Sequence, residues 1–146
     1  MLHDEKLNDI IFYSIDRAIR TYRQYAQQQI RNNGFTITID QWLVIKCLME
    51  NPEVTQVELA EKIFKDTASV TRILTLLVKA KLIPRKVSKS DRRRSSLTVT
   101  KAGIDTIMAV NKIVLQNREH ALKHVESAEL SSARNVMEMI ANNCSR

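Results

Sequence analysis

The residues with the plainest chemistry are Lys89-Ser90-Asp91-Arg92-Arg93-Arg94. Four cations around one carboxylate form no acid–base or nucleophilic set; they neutralise an anion. A core could not bury them cheaply, so they belong on a surface. On a narrow projection they would reach a minor groove and release counterions from phosphates. Asp91 is expected to pair with Arg93 and fix its guanidinium; otherwise Asp91 is an ordinary turn residue. From Glu53 to Lys101 there are twelve Lys and Arg against five Asp and Glu, a surplus of seven that equals the formal net charge of the chain, +7. Charge confined to one segment points to a polyanionic partner more strongly than an evenly spread solubilising coat does.

Just before that run lies a second surface suited to DNA. Val70, Ile73, Leu74, Leu77 and Val78 fall within one arc of a helix running from Asp66 or Thr67 to about Ala80. Ala68, Thr71, Arg72 and Thr75 fall on the opposite arc. Arginine can fork onto guanine, and threonine or alanine can touch a thymine methyl or a phosphate. An ordinary surface helix would carry more Glu and Lys there.

Other chemistry is thinner. His120 and His124 stand four apart on an expected helix, with Glu119 beside them, a spacing that can hold zinc. Solvated histidines are the commoner case, and no metal is assigned. Cys47 is read as a structural thiol with a sensing role as the alternative, and Cys144 has no resolving partner placed near it. Trp42, Tyr22, Tyr25 and Phe64 could line a ligand pocket or simply pack a core. No Ser/His/Asp set, paired carboxylates or phosphate-cradling glycine loop is present. No enzyme activity and no cofactor is therefore expected.

These residues need a frame. With two Gly and two Pro in 146 residues, long helices are favoured over a sandwich or barrel. Leu7, Ile10, Ile11, Ile15, Ala18, Ile19, Tyr22, Ala26 and Ile30 trace one helical stripe from about Asp4 to about Asn32, stopped by Asn33-Gly34. At about 40 Å it would outreach a small core, so a second copy of the chain is the simplest cover for its far end. Thr38-Ile-Asp-Gln41 and Thr55-Gln-Val-Glu58 are capping boxes, each opening a helix. The second helix is short, and Ala60 suits a close helix crossing. Phe64-Lys65 makes the turn to the helix bearing Arg72. Residues 82–88 and 95–99 alternate as two strands around the basic tip, with Pro84 limiting its strand to an edge. Thr100 caps a long helix whose stripe is Ile104, Ile107, Met108, Val114, Leu115, Leu122 and Val125, and Ser131 is the expected cap of a last helix with a short seam of Leu130, Ala133, Met137, Ile140 and Cys144.

Together these features describe a winged helix-turn-helix. The residues Leu59-Ala-Glu61, Ser69-Val-Thr-Arg72, Leu82-Ile-Pro-Arg85, Ser90-Asp-Arg-Arg93 and Leu97-Thr-Val-Thr-Lys-Ala-Gly103 resemble the multiple antibiotic resistance regulator (MarR) family. The resemblance implies a triangular homodimer on a palindromic operator. It implies recognition-helix contacts from Thr67, Ala68, Ser69, Thr71 and Arg72, and Arg93 in a minor groove, buttressed by Asp91. It also implies a repressor released by a small aromatic ligand bound between the dimer region and the DNA-binding lobe. One departure stands out: the family usually has glycine where this chain has Lys81, so Lys81 must adopt a left-handed backbone or end the helix differently.

The expected fold is mostly α with a small β-hairpin wing. Residues 1–36 form an N-terminal dimerisation helix, 37–100 the winged helix-turn-helix DNA-binding domain, and 101–146 the C-terminal dimerisation helices. The expected DNA contacts are Thr67, Ala68, Ser69, Thr71, Arg72 and Thr75 on the helix, and Lys89, Asp91, Arg92, Arg93 and Arg94 on the wing. Trp42, Tyr22 and Phe64 are the ligand-pocket candidates. The expected function is that of a cytoplasmic, ligand-responsive repressor, homodimeric on double-stranded DNA, with a small aromatic ligand and no membrane span. The alternatives are a winged-helix protein-interaction module and a thiol- or metal-responsive regulator.

Overall fold

The computed structural model describes residues 5–84 and 98–145. A 3-10 turn, Leu7–Asp9, precedes six helices: α1 (Ile11–Asn32), α2 (Ile39–Glu50), α3 (Gln56–Lys62), α4 (Thr67–Lys79), α5 (Lys101–Ala121) and α6 (Ser127–Cys144). There is no strand among the described residues, and 82–84 and 98–100 are not in sheet. The expected strands otherwise fall on residues 85–97, outside the described residues, as does the whole basic tip.

Caps set most helix starts. Thr38 Oγ1 accepts the Gln41 N–H at 3.1 Å, and Gln41 Oε1 accepts the Thr38 N–H at 3.0 Å, so the first capping box is complete. At α3 only half of the expected box forms. Thr55 Oγ1 accepts the Glu58 N–H at 3.1 Å, but Glu58 Oε1 takes the threonine hydroxyl at 3.0 Å. Asp66 caps α4, and Thr100 caps α5 by accepting the Gly103 N–H at 3.0 Å.

Three expectations give way. The first helix is not continuous from Asp4, because Ile10 is extended (φ −83°, ψ 116°) and α1 begins at Ile11. The apolar rhythm runs through this break, but Asn8 and Asp9 offer the backbone competing local bonds. The last helix starts at Ser127, with Glu129 Oε1 accepting the Glu126 N–H at 3.1 Å, so Ser131 lies inside it. α5 ends at Ala121, which leaves Leu122, Val125 and His124 outside the helix.

Three helices end on a left-handed residue with the paired bonds of a Schellman cap. After α1, Gly34 has φ +87°; Gly34 N–H bonds Arg31 O and Phe35 N–H bonds Ile30 O. After α3, Phe64 has φ 61°, with Phe64 N–H on Glu61 O and Lys65 N–H on Ala60 O. After α4, Lys81 has φ 64°, with Lys81 N–H on Val78 O and Leu82 N–H on Leu77 O. Lys81 thus takes the backbone that the family's glycine would take.

α2 is the central helix, packing on α1, α3, α4 and α5. Val44, Ile45 and Leu48 on it are almost fully buried, beside Leu59, Val70, Leu77 and Val110. Each such side chain contributes about 1.5–3 kcal/mol of transfer free energy. Gln27 staples α1 to the start of α2: its Nε2 donates to Ile37 O at 3.1 Å and its Oε1 accepts the Ile39 N–H at 2.9 Å. By contrast α6 buries no residue and α1 buries only Ala26 and Ile30. Ile11, Phe12, Ile19, Val136, Met137 and Met139 remain exposed.

Candidate functional site

Helices α3 and α4 form the helix-turn-helix, and the turn is Phe64-Lys65. Ala60, 4% exposed, lets the two helices approach. Asp66 Oδ1 accepts the Ser69 N–H at 2.7 Å and fixes the start of α4. That backbone bond, followed by a side-chain bond with Ser69, holds the Asp66 carboxyl below its usual range. The cap is therefore charged at neutral pH.

Burying Val70, Leu74 and Leu77 turns the opposite arc of α4 outward. Thr67, Ala68, Thr71, Arg72 and Thr75 are exposed, and Ser69 is half-buried. The hydroxyls of Thr71 and Thr75 donate to the carbonyls of Thr67 (2.9 Å) and Thr71 (2.8 Å). With those protons engaged, the hydroxyls offer lone pairs and the side chains offer methyls. Arg72 Nη2 donates to Ser69 Oγ at 3.3 Å, a long bond on an exposed face that a better acceptor can replace. This combination fits base edges and phosphates better than it fits a protein core.

Lys89, Asp91, Arg92, Arg93 and Arg94 lie outside the described residues, but the ends of their segment are placed. Thr100 N–H bonds Leu82 O at 3.1 Å, and Thr100 Oγ1 reaches Lys81 O (2.8 Å) and Leu82 O (3.0 Å). A Cβ on Gly103 would sit 2.2 Å from Leu82 O and 2.6 Å from Val99 Cγ1. Glycine is thus needed for α5 to start against this clasp. Leu82 and Thr100, which flank that segment in sequence, thus meet beside the end of α4.

A second feature is a cavity of about 180 Å³ between α1, α2 and α5, walled by Tyr22, Arg23, Ala26, Ile30, Trp42, Val114, Asn117 and Arg118 among others. Its lining holds two guanidiniums and no carboxylate among the described residues. The Arg118 guanidinium carbon lies 5.9 Å from the Trp42 ring centroid, within cation–π range. Trp42 is 8% exposed, and its Nε1–H has no hydrogen-bond partner among the described residues. Asn117, 3% exposed, is held by a long bond from Nδ2 to Ala26 O, 3.4 Å.

The structure brings Trp42 and Tyr22 together and excludes Phe64. Phe64 is 90% exposed, because its left-handed backbone at the turn holds it away from the core. Tyr25 instead stacks on His120, with ring centroids 4.7 Å apart and planes at 16°. His124, at φ 69° beyond the end of α5, does not share a helix face with His120. No group of three metal-capable side chains occurs among the described residues. Cys47 is half-buried. Burial raises its pKa, Lys62 partly offsets that and Glu50 adds to it, so the thiol is a weak nucleophile. Arg23 and Arg118 are the residues that sequence reasoning passed over. A signal was present: Arg23 stands four after Ile19, and Arg118 four after Val114, so each borders an apolar stripe.

Residues 37–95 match the family model described as MarR family. A curated relative, a putative transcriptional regulatory protein for the hcr operon from Thauera aromatica, is 23% identical over 129 residues, covering 88% of this chain and 76% of that protein. A MarR/EmrR family transcriptional regulator from Acinetobacter sp. ADP1 superposes with a TM-score of 0.83 at 16% identity, covering 95% of this chain and 97% of that one. BpsR of Bordetella bronchiseptica, whose DNA binding is regulated by 6-hydroxynicotinic acid, superposes with a TM-score of 0.82 at 18% identity, covering 95% and 98%. At these identities the two superpositions establish the shared fold.

Proposed function

We propose that the chain is a transcriptional regulator of the MarR family rather than an enzyme, and that it acts as a homodimeric, ligand-responsive repressor of a palindromic operator in the cytoplasm. The observation that carries the DNA half of this reading is the outward arc of α4. Thr67, Ala68, Thr71, Arg72 and Thr75 are exposed there, while the inward arc is buried. The meeting of Leu82 and Thr100 beside the end of α4, on either side of the basic segment in sequence, supports a wing contact from Lys89, Arg92, Arg93 and Arg94, with Asp91 holding Arg93. No helix among the described residues is long and apolar enough to cross a membrane.

The cavity supports the ligand half. Its volume of about 180 Å³ suits a single ring, since apolar cavities near 150 Å³ accept benzene. The Arg23 and Arg118 guanidiniums and the Trp42 Nε1–H supply donors for a carboxylate on that ring. A small aromatic acid is the effector class that fits. The Bordetella relative, regulated by 6-hydroxynicotinic acid, supports the same class.

The test uses the only tryptophan of the chain, Trp42. Benzoate and its hydroxylated derivatives are titrated while Trp42 emission and the mobility of duplex DNA from upstream of the protein's own gene are followed. The expected result is a saturable change in emission from at least one acid, and release of a salt-sensitive DNA complex by that acid. DNA binding indifferent to salt, or no DNA shift alongside capture of an acidic protein, would overturn the reading.

A further inference from the structure

Asp40, in the first turn of α2, touches cations from two separate parts of the molecule. Its Oδ1 lies 3.3 Å from Arg23 Nη1 on α1, and its Oδ2 lies 3.4 Å from Lys65 Nζ. Arg23 lines the cavity. Lys65 immediately precedes Asp66, the N-cap of α4. One carboxylate therefore joins the cavity wall to the start of the exposed polar helix. We propose that Asp40 is a charge switch: when an anion in the cavity engages Arg23, Asp40 turns wholly to Lys65 and withdraws that cation from DNA phosphate. The trigger rests on the ligand-responsive reading above, whereas the wiring rests on contacts made without a ligand.

The geometry suits a switch rather than a fixed strut. Charge-assisted bonds close to about 2.7–2.9 Å when a pair is fully committed. Both contacts of Asp40 are longer, so the carboxylate is divided between its two cations. All three side chains are only partly exposed, at 41% for Arg23, 33% for Asp40 and 36% for Lys65, so water does not fully screen them. A ligand carboxylate would compete well for Arg23, whose planar fork matches it in two bonds. Lysine, a point charge on a flexible stem, follows whichever anion is left. Because a phosphate contact carries affinity without sequence information, the switch should change binding strength and salt dependence while leaving base preference alone.

A ligand-free mutant cycle on the full-length protein tests this, with affinity for an upstream duplex read by fluorescence anisotropy across a salt series. R23Q frees Asp40 from its α1 partner and should weaken binding about three- to tenfold, flattening the salt slope by up to about one unit. D40N releases Lys65 and should strengthen binding, and in the D40N background R23Q should have no further effect. K65Q should abolish the gain from D40N, which closes the cycle from the other side if R23Q loses its helical dichroism. Additive effects of R23Q and D40N, or a D40N gain that survives K65Q, would overturn the switch. Failure of every aromatic acid to perturb Trp42 would sink the ligand reading instead, and the cycle would still decide the wiring.

Discussion

Lys81 sits where the chain turns left-handed, and its energetics can be separated from its charge. Its φ is 64°, and its own N–H and that of Leu82 close the end of α4. A left-handed backbone costs a residue with a Cβ about 1–2 kcal/mol. Glycine avoids that cost but adds about 0.5–1 kcal/mol of unfolded-chain freedom. Lys81→Gly should therefore stabilise the protein by about 0.5–1 kcal/mol. In urea the midpoint should rise with an unchanged slope; a lowered midpoint would mean that the lysine side chain contributes something the cap does not account for. Phe64 makes the same demand at φ 61°, with a ring that is 90% exposed. At these two positions the sequence departs from its own local preference: Phe64 in the turn between α3 and α4, and Lys81 just beyond α4.

For single elements, the periodicities and caps are largely legible in the sequence. Thr38, Thr55, Asp66 and Thr100 each open a helix where their residue type and spacing predict. The outward arc of α4 followed from the inward one, because burying Val70, Leu74 and Leu77 leaves Ala68, Thr71, Arg72 and Thr75 no other direction. The break at Ile10 and the end of α5 at Ala121 were not legible, since an apolar stripe can continue across a turn. Nor was the Arg23–Asp40–Lys65 group, whose first pair spans 17 residues between elements whose docking no local pattern specifies. The α4 arc carries its own prediction. Arg72→Ala removes an exposed side chain and should change stability by no more than about 0.5 kcal/mol. If Arg72 reads a base, the same change should cost about 1–3 kcal/mol at one base-pair position and relax discrimination there. Affinities for a set of singly substituted duplexes decide it, because a loss equal on every duplex would place Arg72 on phosphate.

As a whole the chain leaves two long helices under-used. α6 buries none of its 18 residues, and the first two-thirds of α1 keeps Ile11, Phe12 and Ile19 exposed. A groove lined by Ile15, Ala18 and Ile19 of α1, Leu122 and Met137 is equally apolar. Helices gain most of their stability from tertiary packing of an apolar face, so such lengths are hard to account for in a lone subunit. In the homodimer we propose, a second copy covers these faces and sets two α4 helices about 34 Å apart, one turn of the duplex. Phe12, 60% exposed, and Met139, 63% exposed, are the positions at which to test it. Glutamate at either should cost the isolated fold little, since both already face water. In an interface the same carboxylates would be buried without partners, at several kcal/mol each. The parent should therefore sediment as a dimer at micromolar concentration, and the Phe12→Glu/Met139→Glu double variant as a folded monomer. Because linking two half-site contacts raises avidity by about 10²–10⁴, the monomer should lose at least a hundredfold in operator affinity. A monomeric parent, or a double variant that dimerises and binds DNA as the parent does, would mean that some other surface covers α1 and α6.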